Sequence, residues 1–354
     1  MVAQPEVVPR SHPFETAQTA KRGHFTSWDG TELYYRAWPA KSPSDKALIF
    51  LHRGHEHSGR IAQQVEELGL DECGAFAWDL RGHGHSPGPR GYTRDYYDHV
   101  RDLDAFVKFV AREYGIPVEN MVLVANSVGA VTAAAWVHDF APRVRAMVLA
   151  APAFRIRLYV PFAIPGLRLL NKFRPRANIS SYVKSKMLTH DTEQARLYDD
   201  DELITRNIAV NVLLGLHDLS TRIVRDAGAI TTPTLILSAG RDWVVRNSAQ
   251  RAFYENLSSD VREMEVYPDF FHAVLYEQGR ETAFSRTREF IEAAFERDID
   301  RTALLRADRT GITRDEYLRL SGRPSLFNRV RFGLQKLGMR TLGRLSNGLR
   351  LGWK

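Results

Sequence analysis

Short strand-like runs alternate with helix-length segments over most of the chain, and this alternation is the strongest constraint on its fold. The runs lie at 47–53, 74–82, 120–127, 145–153, 232–242 and 262–270, with helices predicted between them, for example at 95–114 and 128–139. Strands that alternate with helices form a mostly parallel sheet covered by helices on both faces. Residues 23–40 alternate apolar and polar positions around Asp29-Gly30, which predicts an antiparallel hairpin ahead of these runs. The sequence therefore predicts an α/β fold with a mostly parallel, eight-stranded sheet.

One interval interrupts the alternation. Residues 153–229 are too many for a single crossover between strands, and they begin with a stretch rich in proline, leucine and aromatic residues. We expect this interval to form an inserted, mainly helical cap over the carboxyl ends of the strands. The core then comprises residues 22–152 and 230–298. Residues 1–21 are expected to be disordered, and residues 299–354 to form a basic appendage or linker.

A strand, a sharp turn and a helix are predicted over residues 121–136, with Ser127 at the turn. The segment matches the nucleophile-elbow pattern G-x-S-x-G except that Ala125 replaces the first glycine. A serine in such a strained turn exposes its hydroxyl, and tiny residues on either side let the helix approach the strand. Ser127 is therefore a candidate nucleophile. The alternative is a small-residue turn that contains an incidental serine.

The two partners that such a serine needs follow in the expected order. Asp242 comes after the strand at 232–242, and His272 comes after the strand at 262–270. A histidine must accept the proton of Ser127, and a carboxylate must hold its ring in the correct tautomer. The sequence therefore predicts a catalytic triad of Ser127, Asp242 and His272. The alternatives are a helix N-cap for Asp242 and a solvated turn histidine for His272.

The oxyanion hole is expected to use the backbone N–H groups of Val128, which follows the nucleophile, and of Gly54 in the loop after the third strand. That loop also carries His52, His55 and His57. Their spacing matches no zinc motif and no cysteine or carboxylate cluster accompanies them, so we predict no metal site. These histidines are expected to hydrogen-bond the loop in place.

Several motifs together resemble the monoacylglycerol lipase and lysophospholipase branch of the α/β hydrolases, which includes serine aminopeptidase S33-type enzymes. They are HRGHEHSGR (52–60), DLRGHGHSPGPRGY (79–92), the elbow, LTHDTEQARLYDDDELITR (188–206), GRD and FFHAVLYE. The resemblance covers roughly residues 22–297 and implies the α/β-hydrolase fold. It also implies that Asp79, Arg81 and His83 hydrogen-bond a loop beneath the site rather than act as catalysts. Arg53 and His55 depart from the pattern, because they replace the glycines that flank Gly54.

The positive charge is concentrated at the C-terminus. The net charge is +7, yet residues 323–354 carry eight Lys or Arg and no Asp or Glu, so residues 1–322 are close to neutral. A nearly neutral body argues against nucleic-acid binding. The tail could be a membrane-binding amphipathic helix. The chain also resembles the hydrolase half of bacterial hydrolase–methyltransferase fusions, so the tail could equally be a linker. The sequence contains no glycine-rich nucleotide loop, and we predict no methyltransferase activity for it.

The leading functional hypothesis is hydrolysis of a carboxylic ester of a single-chain lipid, a monoacylglycerol or a lysophospholipid, without a cofactor. The resemblance implies that the cap supplies an acyl tunnel and contacts membranes. The alternative is that its apolar residues, such as Leu158 and Phe162, simply pack on the core. Acyl transfer to another alcohol, a general carboxylesterase or thioesterase activity, and a non-catalytic docking module remain alternatives. The chain has one cysteine, Cys73, and lacks a leader-like or membrane-spanning apolar run. These features predict a cytoplasmic protein. A peripheral contact at an anionic membrane is expected from the cap and the basic tail. The sequence does not indicate an oligomeric state.

Overall fold

Ten strands lie within residues 20–297, the part of the chain that this computed structural model describes. In chain order they are β1 (Lys21–Thr26), β2 (Glu32–Trp38), β3 (Ala47–Leu51), β4 (Gly74–Trp78), β5 (Met121–Asn126), β6 (Ala146–Ala150), β7 (Asn178–Ser180), β8 (Asn207–Ala209), β9 (Thr234–Ala239) and β10 (Arg262–Tyr267). Eight of them form one sheet in the order β1-β2-β4-β3-β5-β6-β9-β10. The first two ladders, β1–β2 and β2–β4, are antiparallel, and every other ladder of this sheet is parallel. The predicted eight-stranded, mostly parallel sheet is confirmed.

The central strands are apolar because both faces of the sheet are covered. Every residue of β3, β4, β5, β6 and β9 is buried. The predicted hairpin forms between β1 and β2, where Gly30 adopts a φ of 83° and its N–H donates to the Ser27 carbonyl at 3.0 Å. Glycine suits this turn because a side chain at positive φ is strained.

Eight α-helices accompany the strands in the described part of the chain. They are α1 (Ile61–Leu68), α2 (Asp98–Tyr114), α3 (Val128–Phe140), α4 (Ala163–Phe173), α5 (Thr192–Asp200), α6 (Val210–Arg225), α7 (Asn247–Asn256) and α8 (Glu281–Glu296). Helices α2, α3, α6 and α7 pack side by side, whereas α1 packs against α8. None of the helices within residues 20–297 is long and apolar enough to cross a membrane.

The interval between β6 and β9 contains α4, α5, α6 and a two-stranded antiparallel sheet of β7 and β8. Helix α4 has no buried residue and packs against α6. Helix α6 lies within the predicted cap but packs differently from α4. It also packs against α3 and α7, and it buries an apolar face that includes Leu216 and Ile223. Its buried face makes α6 part of the helical layer around the sheet, although it lies inside the interval 153–229.

The start of this interval is bound to the loop that follows β9. Ile156 and Val245 form an antiparallel bridge. Arg157 N–H donates to the Val244 carbonyl at 2.8 Å, and Arg246 N–H donates to the Arg155 carbonyl at 2.8 Å. This bridge fixes the place where the cap leaves the core.

Two predictions concern the ends of the chain. Lys21 was included in the disordered segment, but it is the first residue of β1. The rest of that prediction up to residue 19, and the basic appendage from residue 299 onward, lie outside the described residues.

Candidate active site

Ser127 occupies the turn between β5 and α3. Its φ of 52° and ψ of −109° are unusual for a residue with a side chain, and such strain persists only where neighbours fix the backbone. Ser127 N–H donates to the Ala150 carbonyl at 2.8 Å, and Ala153 N–H donates to the Ser127 carbonyl at 3.0 Å. Both contacts come from β6 and the residues after it. The strained turn is thus held by the neighbouring strand, as expected for a nucleophile elbow.

The two small residues beside Ser127 are not equivalent. A Cβ on Gly129 would lie 2.7 Å from both the His52 carbonyl oxygen and the Leu51 Cβ, so a glycine is needed there. Ala125 lies in β5, is fully buried and pairs in register with Leu51 and Leu149 on the adjacent strands. The fold therefore accommodates a methyl group two residues before the serine but not two residues after it.

The structure brings the three predicted triad residues together. His272 Nε2 lies 2.8 Å from Ser127 Oγ, and His272 Nδ1 lies 2.8 Å from Asp242 Oδ2. All three side chains are buried. Asp242 follows β9 and His272 follows β10, so adjacent parallel strands deliver them to the same edge of the sheet as Ser127. The arrangement can pass a proton from the serine to the imidazole while the carboxylate orients the ring.

Asp242 has a second set of partners. Its Oδ1 accepts hydrogen bonds from Val244 N–H at 2.7 Å and Val245 N–H at 2.8 Å. Helix α7 begins only at Asn247, so Asp242 caps a turn before the helix rather than the helix itself. The carboxylate is therefore held in one orientation, with Oδ1 on the turn and Oδ2 on the histidine.

The two predicted oxyanion donors are neighbours. A Cβ on Gly54 would lie 3.1 Å from Val128 Cγ2, so the two residues are in close contact. Tyr96 Oη donates to the Val128 carbonyl at 3.1 Å, which fixes the peptide after it. Gly54 and Val128 both line the cavity that contains Ser127. Their N–H groups belong to the two loops from which an oxyanion hole is built in this fold.

The loop histidines differ from one another. His52 Nε2 accepts from Leu80 N–H at 3.1 Å, and its Nδ1 lies 2.7 Å from the Arg53 carbonyl. His57 Nδ1 accepts from Gly59 N–H at 3.1 Å, and its Nε2 lies 2.9 Å from Asp201 Oδ2. The prediction that these rings hydrogen-bond the loop is confirmed for both. It is wrong for His55, whose side chain lines the cavity instead. The backbone of His55 has a positive φ of 73°. Residues 20–297 contain no His, Cys, Asp or Glu cluster that could hold a metal ion.

Asp79 and Arg81 have structural partners, as predicted. Asp79 Oδ1 accepts from Ser58 N–H at 2.6 Å and its Oδ2 from His85 N–H at 2.7 Å. Arg81 donates from Nε and Nη2 to Asp102, at 2.6 Å in each case. His83 is only partly structural. Its Nδ1 lies 2.9 Å from the Arg81 carbonyl, but the ring also lines the cavity.

Arg53 joins a buried charged network that sequence patterns did not reveal. Its Nε donates to Glu56 Oε2 at 3.0 Å, and its guanidinium lies 4.7 Å from the ring centroid of Tyr276. Burial opposes ionisation of Glu56, but the charges of Arg53 and Arg60 outweigh burial and lower its pKa to about 2. The network ties the loop of Gly54 to the turn after His272, since Tyr276 also donates from Oη to the Arg60 carbonyl at 2.8 Å.

A cavity of about 600 Å³ opens beside Ser127 and His272. Most of its wall is apolar and comes from the cap and α6, including Ile156, Leu158, Leu167, Leu170, Ile208, Val212, Leu213 and Leu216. Polar residues of the wall include His55, His83 and His99, and the His83 ring centroid lies 5.7 Å from that of His52 in the oxyanion loop. Ser127 therefore faces a largely apolar cavity whose wall also carries several imidazoles.

Curated relatives of this chain include both uncharacterized and named proteins. The uncharacterized Escherichia coli protein YnbC is 44% identical over 331 residues, which cover 93% of this chain and 57% of that protein. The monoacylglycerol lipase of Mycolicibacterium smegmatis is 23% identical over 74% of this chain and 93% of its own length. The human monoglyceride lipase is 28% identical over 77% of this chain and 88% of its own length. The chain thus spans little more than half of the Escherichia coli relative but most of the two lipases.

Solved structures share the fold. The monoacylglycerol lipase of Paleococcus ferrophilus superposes with a TM-score of 0.68 at 22% identity, over 74% of this chain and 99% of that one. A soluble variant of the monoglyceride lipase of Saccharomyces cerevisiae superposes with a TM-score of 0.69 at 18% identity, over 81% of this chain and 99% of that one. These likenesses agree with an α/β-hydrolase fold.

Two family models match different parts of the chain. Residues 287–354 match a family described as a putative methyltransferase, which agrees with the resemblance to hydrolase–methyltransferase fusions. Residues 42–279 match the family described as serine aminopeptidase, S33. That match covers more than half of the chain and includes the strained serine turn, both loops of the oxyanion site, and the aspartate and histidine after the last two strands. The chain therefore belongs to the serine aminopeptidase S33 family of α/β hydrolases.

Proposed function

We propose that the protein is a serine hydrolase that cleaves the carboxylic ester of a lipid with one acyl chain, through an acyl-enzyme on Ser127. The observation that carries the proposal is the hydrogen-bonded series from Asp242 through His272 to Ser127, at the edge of a largely apolar cavity. A series of this kind activates a hydroxyl for attack on a carbonyl carbon.

The reaction follows from the geometry in two stages. Ser127 Oγ attacks the ester carbonyl as its proton passes to His272 Nε2, and the Asp242 carboxylate stabilises the imidazolium that forms. Gly54 and Val128 N–H groups would hold the oxyanion. His272 then gives its proton to the leaving alcohol, and an acyl-enzyme remains. In the second stage His272 takes a proton from water as the water attacks the acyl carbon, and it then returns that proton to Ser127 Oγ as the bond to the acyl group breaks and the carboxylic acid is released.

The cavity supports a lipid acyl chain. Its volume of about 600 Å³ is in the range of small-molecule sites, and aliphatic side chains of the cap and α6 form most of its wall. An alkyl chain is stabilised there by about 0.8 kcal/mol for each buried methylene group. Among the related proteins, several carry the names monoacylglycerol lipase or monoglyceride lipase, which agrees with this substrate class.

A peripheral contact with an anionic membrane is part of the proposal. Phe162 and Phe173, at the two ends of α4, are 86% and 74% exposed, and Val160 and Leu169 are exposed as well. Residues 153–189 contain eight Lys or Arg and no Asp or Glu. Apolar side chains surrounded by cations favour binding at an anionic lipid surface. The same segment lines the cavity, so a lipid substrate could pass from the membrane to Ser127.

Two assays test the nucleophile and the substrate class. A fluorophosphonate probe should label the wild-type protein and leave Ser127→Ala unlabelled, and equal labelling would refute the assignment. Fatty acid release should be faster from long-chain monoacylglycerol or lysophospholipid than from the p-nitrophenyl ester of a short acid. A preference for the short ester would contradict the lipid proposal. A glycerol ester formed at the expense of free acid would indicate acyl transfer instead.

Liposome flotation tests the membrane contact. We expect full-length wild-type protein to float with vesicles rich in phosphatidylglycerol, and the Phe162→Ser, Phe173→Ser double variant to float much less. Phe140→Ser is the matched control, because Phe140 is 40% exposed but lies at the C-terminal end of α3, outside the cap. Equal flotation of the double variant and the control would show that the cap surface does not bind the membrane.

A further inference from the structure

His55 is a strained residue with a free side chain. Its φ of 73° lies in the left-handed region, which is disfavoured for a residue with a Cβ. The backbone is held there by the cap, because Thr205 N–H donates to the His55 carbonyl at 2.9 Å. Within residues 20–297 the imidazole has no hydrogen-bond partner, and neither of its nitrogens is fully buried. Strain of this kind is often retained at functional sites.

His83 presents a second unpaired ring nitrogen in the same part of the cavity wall. Its Nδ1 lies 2.9 Å from the Arg81 carbonyl, which only a protonated Nδ1 can satisfy. The Nε2 of the neutral ring is then an acceptor, and within residues 20–297 the ring makes no hydrogen bond besides that to the Arg81 carbonyl. The His83 ring centroid lies 5.7 Å from that of His52, in the same loop as Gly54 and His55. Together, the two rings offer at least one donor and two acceptors beside the Gly54 loop.

These imidazoles are neutral at pH 7. Burial lowers the pKa of His55 to about 4 and that of His83 well below its usual range. Arg53 is the one arginine or lysine among the described residues that line the cavity. Its guanidinium is paired with Glu56, and its remaining Nη1 is fully buried. A phosphate placed here would have no counter-ion, and burying an unpaired charge is costly.

We infer that His55 and His83 form a binding subsite for the alcohol part of the ester, and that this subsite takes an uncharged alcohol with free hydroxyl groups rather than a phosphate-bearing head group. The inference rests on the proposed function. A single-chain lipid ester has one apolar and one polar side, and the aliphatic side chains of the cavity wall accommodate the chain. The polar wall beside the oxyanion donors then receives the hydroxyl groups, which can donate to the imidazole acceptors and accept from His55.

The test compares three esters of one fatty acid: 1-monoacylglycerol, the ethyl ester and lysophosphatidylglycerol. For the wild-type protein we expect the highest kcat/KM with the monoacylglycerol. The ratio of kcat/KM for monoacylglycerol to that for the ethyl ester should fall about tenfold or more in His55→Gly, because the hydrogen bond to the alcohol is lost. His55→Asn should recover part of the ratio, since asparagine tolerates positive φ and carries both a donor and an acceptor.

His24→Gly is the control, because His24 is exposed on the edge strand β1, and its ratio should equal that of the wild-type protein. Glycine is unstrained at a φ of 73°, so His55→Gly is compatible with the fold. An unchanged ratio in His55→Gly, or a wild-type preference for lysophosphatidylglycerol over monoacylglycerol, would overturn the subsite alone. Hydrolysis of none of the three esters would overturn the proposed function, and the subsite with it.

Discussion

Replacing Asp242 by asparagine should abolish activity while leaving the fold intact. The two backbone donors at Val244 and Val245 require an acceptor at Oδ1, at 2.7 and 2.8 Å. An asparagine therefore places its carbonyl oxygen on the turn and its NH₂ group toward His272 Nδ1. That nitrogen must then act as the acceptor, and the ring proton moves to Nε2. A ring protonated at Nε2 cannot accept the proton of Ser127.

The expected loss can be put in numbers. In the trypsin-type triad the equivalent change lowers kcat by about 10⁴, which corresponds to about 5.5 kcal/mol of transition-state stabilisation. We expect a loss of that order for Asp242→Asn, because the buried series Asp242–His272–Ser127 has the same connectivity. The thermal midpoint should change by only a few degrees, since all three hydrogen bonds of the side chain can still form.

Asp242→Ala separates the structural role of this residue from its catalytic one. Alanine leaves two buried N–H groups without a partner, at a cost of about 1–3 kcal/mol each, so this variant should lose stability as well as activity. The measurements are kcat with a long-chain monoacylglycerol and thermal unfolding of each purified protein. If Asp242→Asn retained more than a tenth of the wild-type kcat, the tautomer argument would be refuted.

Three further changes have defined outcomes. Gly129→Ala should cost about 1–3 kcal/mol of stability and most of the activity, because its Cβ would lie 2.7 Å from the His52 carbonyl oxygen. Ala125→Gly should cost about 1 kcal/mol of stability and keep kcat within a few-fold of the wild-type value. Equal effects of the two variants on urea unfolding and on kcat would contradict the packing described at the elbow. The stabilising effect of the neutral histidines His55 and His99 should be greatest above pH 6.5 and be lost as the pH drops from 6.5 toward 4, because burial lowers the pKa of His55 to about 4 and of His99 to about 3 and the unfolded chain therefore binds protons first. The loss should be about 1.4 kcal/mol per pH unit for the buried His99 and less for the half-buried His55. Urea midpoints at pH 7, 6 and 5 should show a shallower slope for His55→Gly than for the wild-type protein, and identical slopes would rule out this source of the pH dependence. Tyr276→Phe should lower kcat several-fold with a smaller change in KM, since it removes the hydrogen bond to the Arg60 carbonyl that ties the oxyanion loop to the turn after His272; a change in KM alone would argue against a positioning role.

The parts of the molecule that sequence predicted well depend on local patterns. The buried strands are continuous apolar runs, and Ser127, Asp242 and His272 each follow one of them, so a parallel sheet brings the three to the same edge. The chemistry of the elbow adds a second local signal, namely the tiny residues around the serine. The fold and the relative placement of the three side chains could therefore be predicted without knowing any long-range contact.

The parts that sequence did not predict depend on partners far along the chain. In the sequence Arg53 is a bulky replacement of a glycine, but its guanidinium lies over Tyr276, more than two hundred residues later, as well as pairing with Glu56. The free imidazole of His55 could not be distinguished from those of His52 and His57, because only the structure shows which rings have partners. Helix α6 was assigned to the cap because it follows other inserted elements, although its packing against α3 and α7 makes it part of the core. Strands β7 and β8 have three residues each, which is too short for a periodic signal.

The bridge between Ile156 and Val245 limits how the cap can be exchanged. Val244 and Val245 hold the Asp242 carboxylate with their N–H groups, and the same stretch of backbone binds residues 155–157. A chimera that took its cap from a relative would need to keep residues 155–157 from this chain. Otherwise the turn at Val244 and Val245 would lose the backbone hydrogen bonds that these residues make with it. The boundary for grafting therefore lies after residue 157, several residues inside the insertion, so a graft must leave the first segment of the cap with Asp242 and its turn.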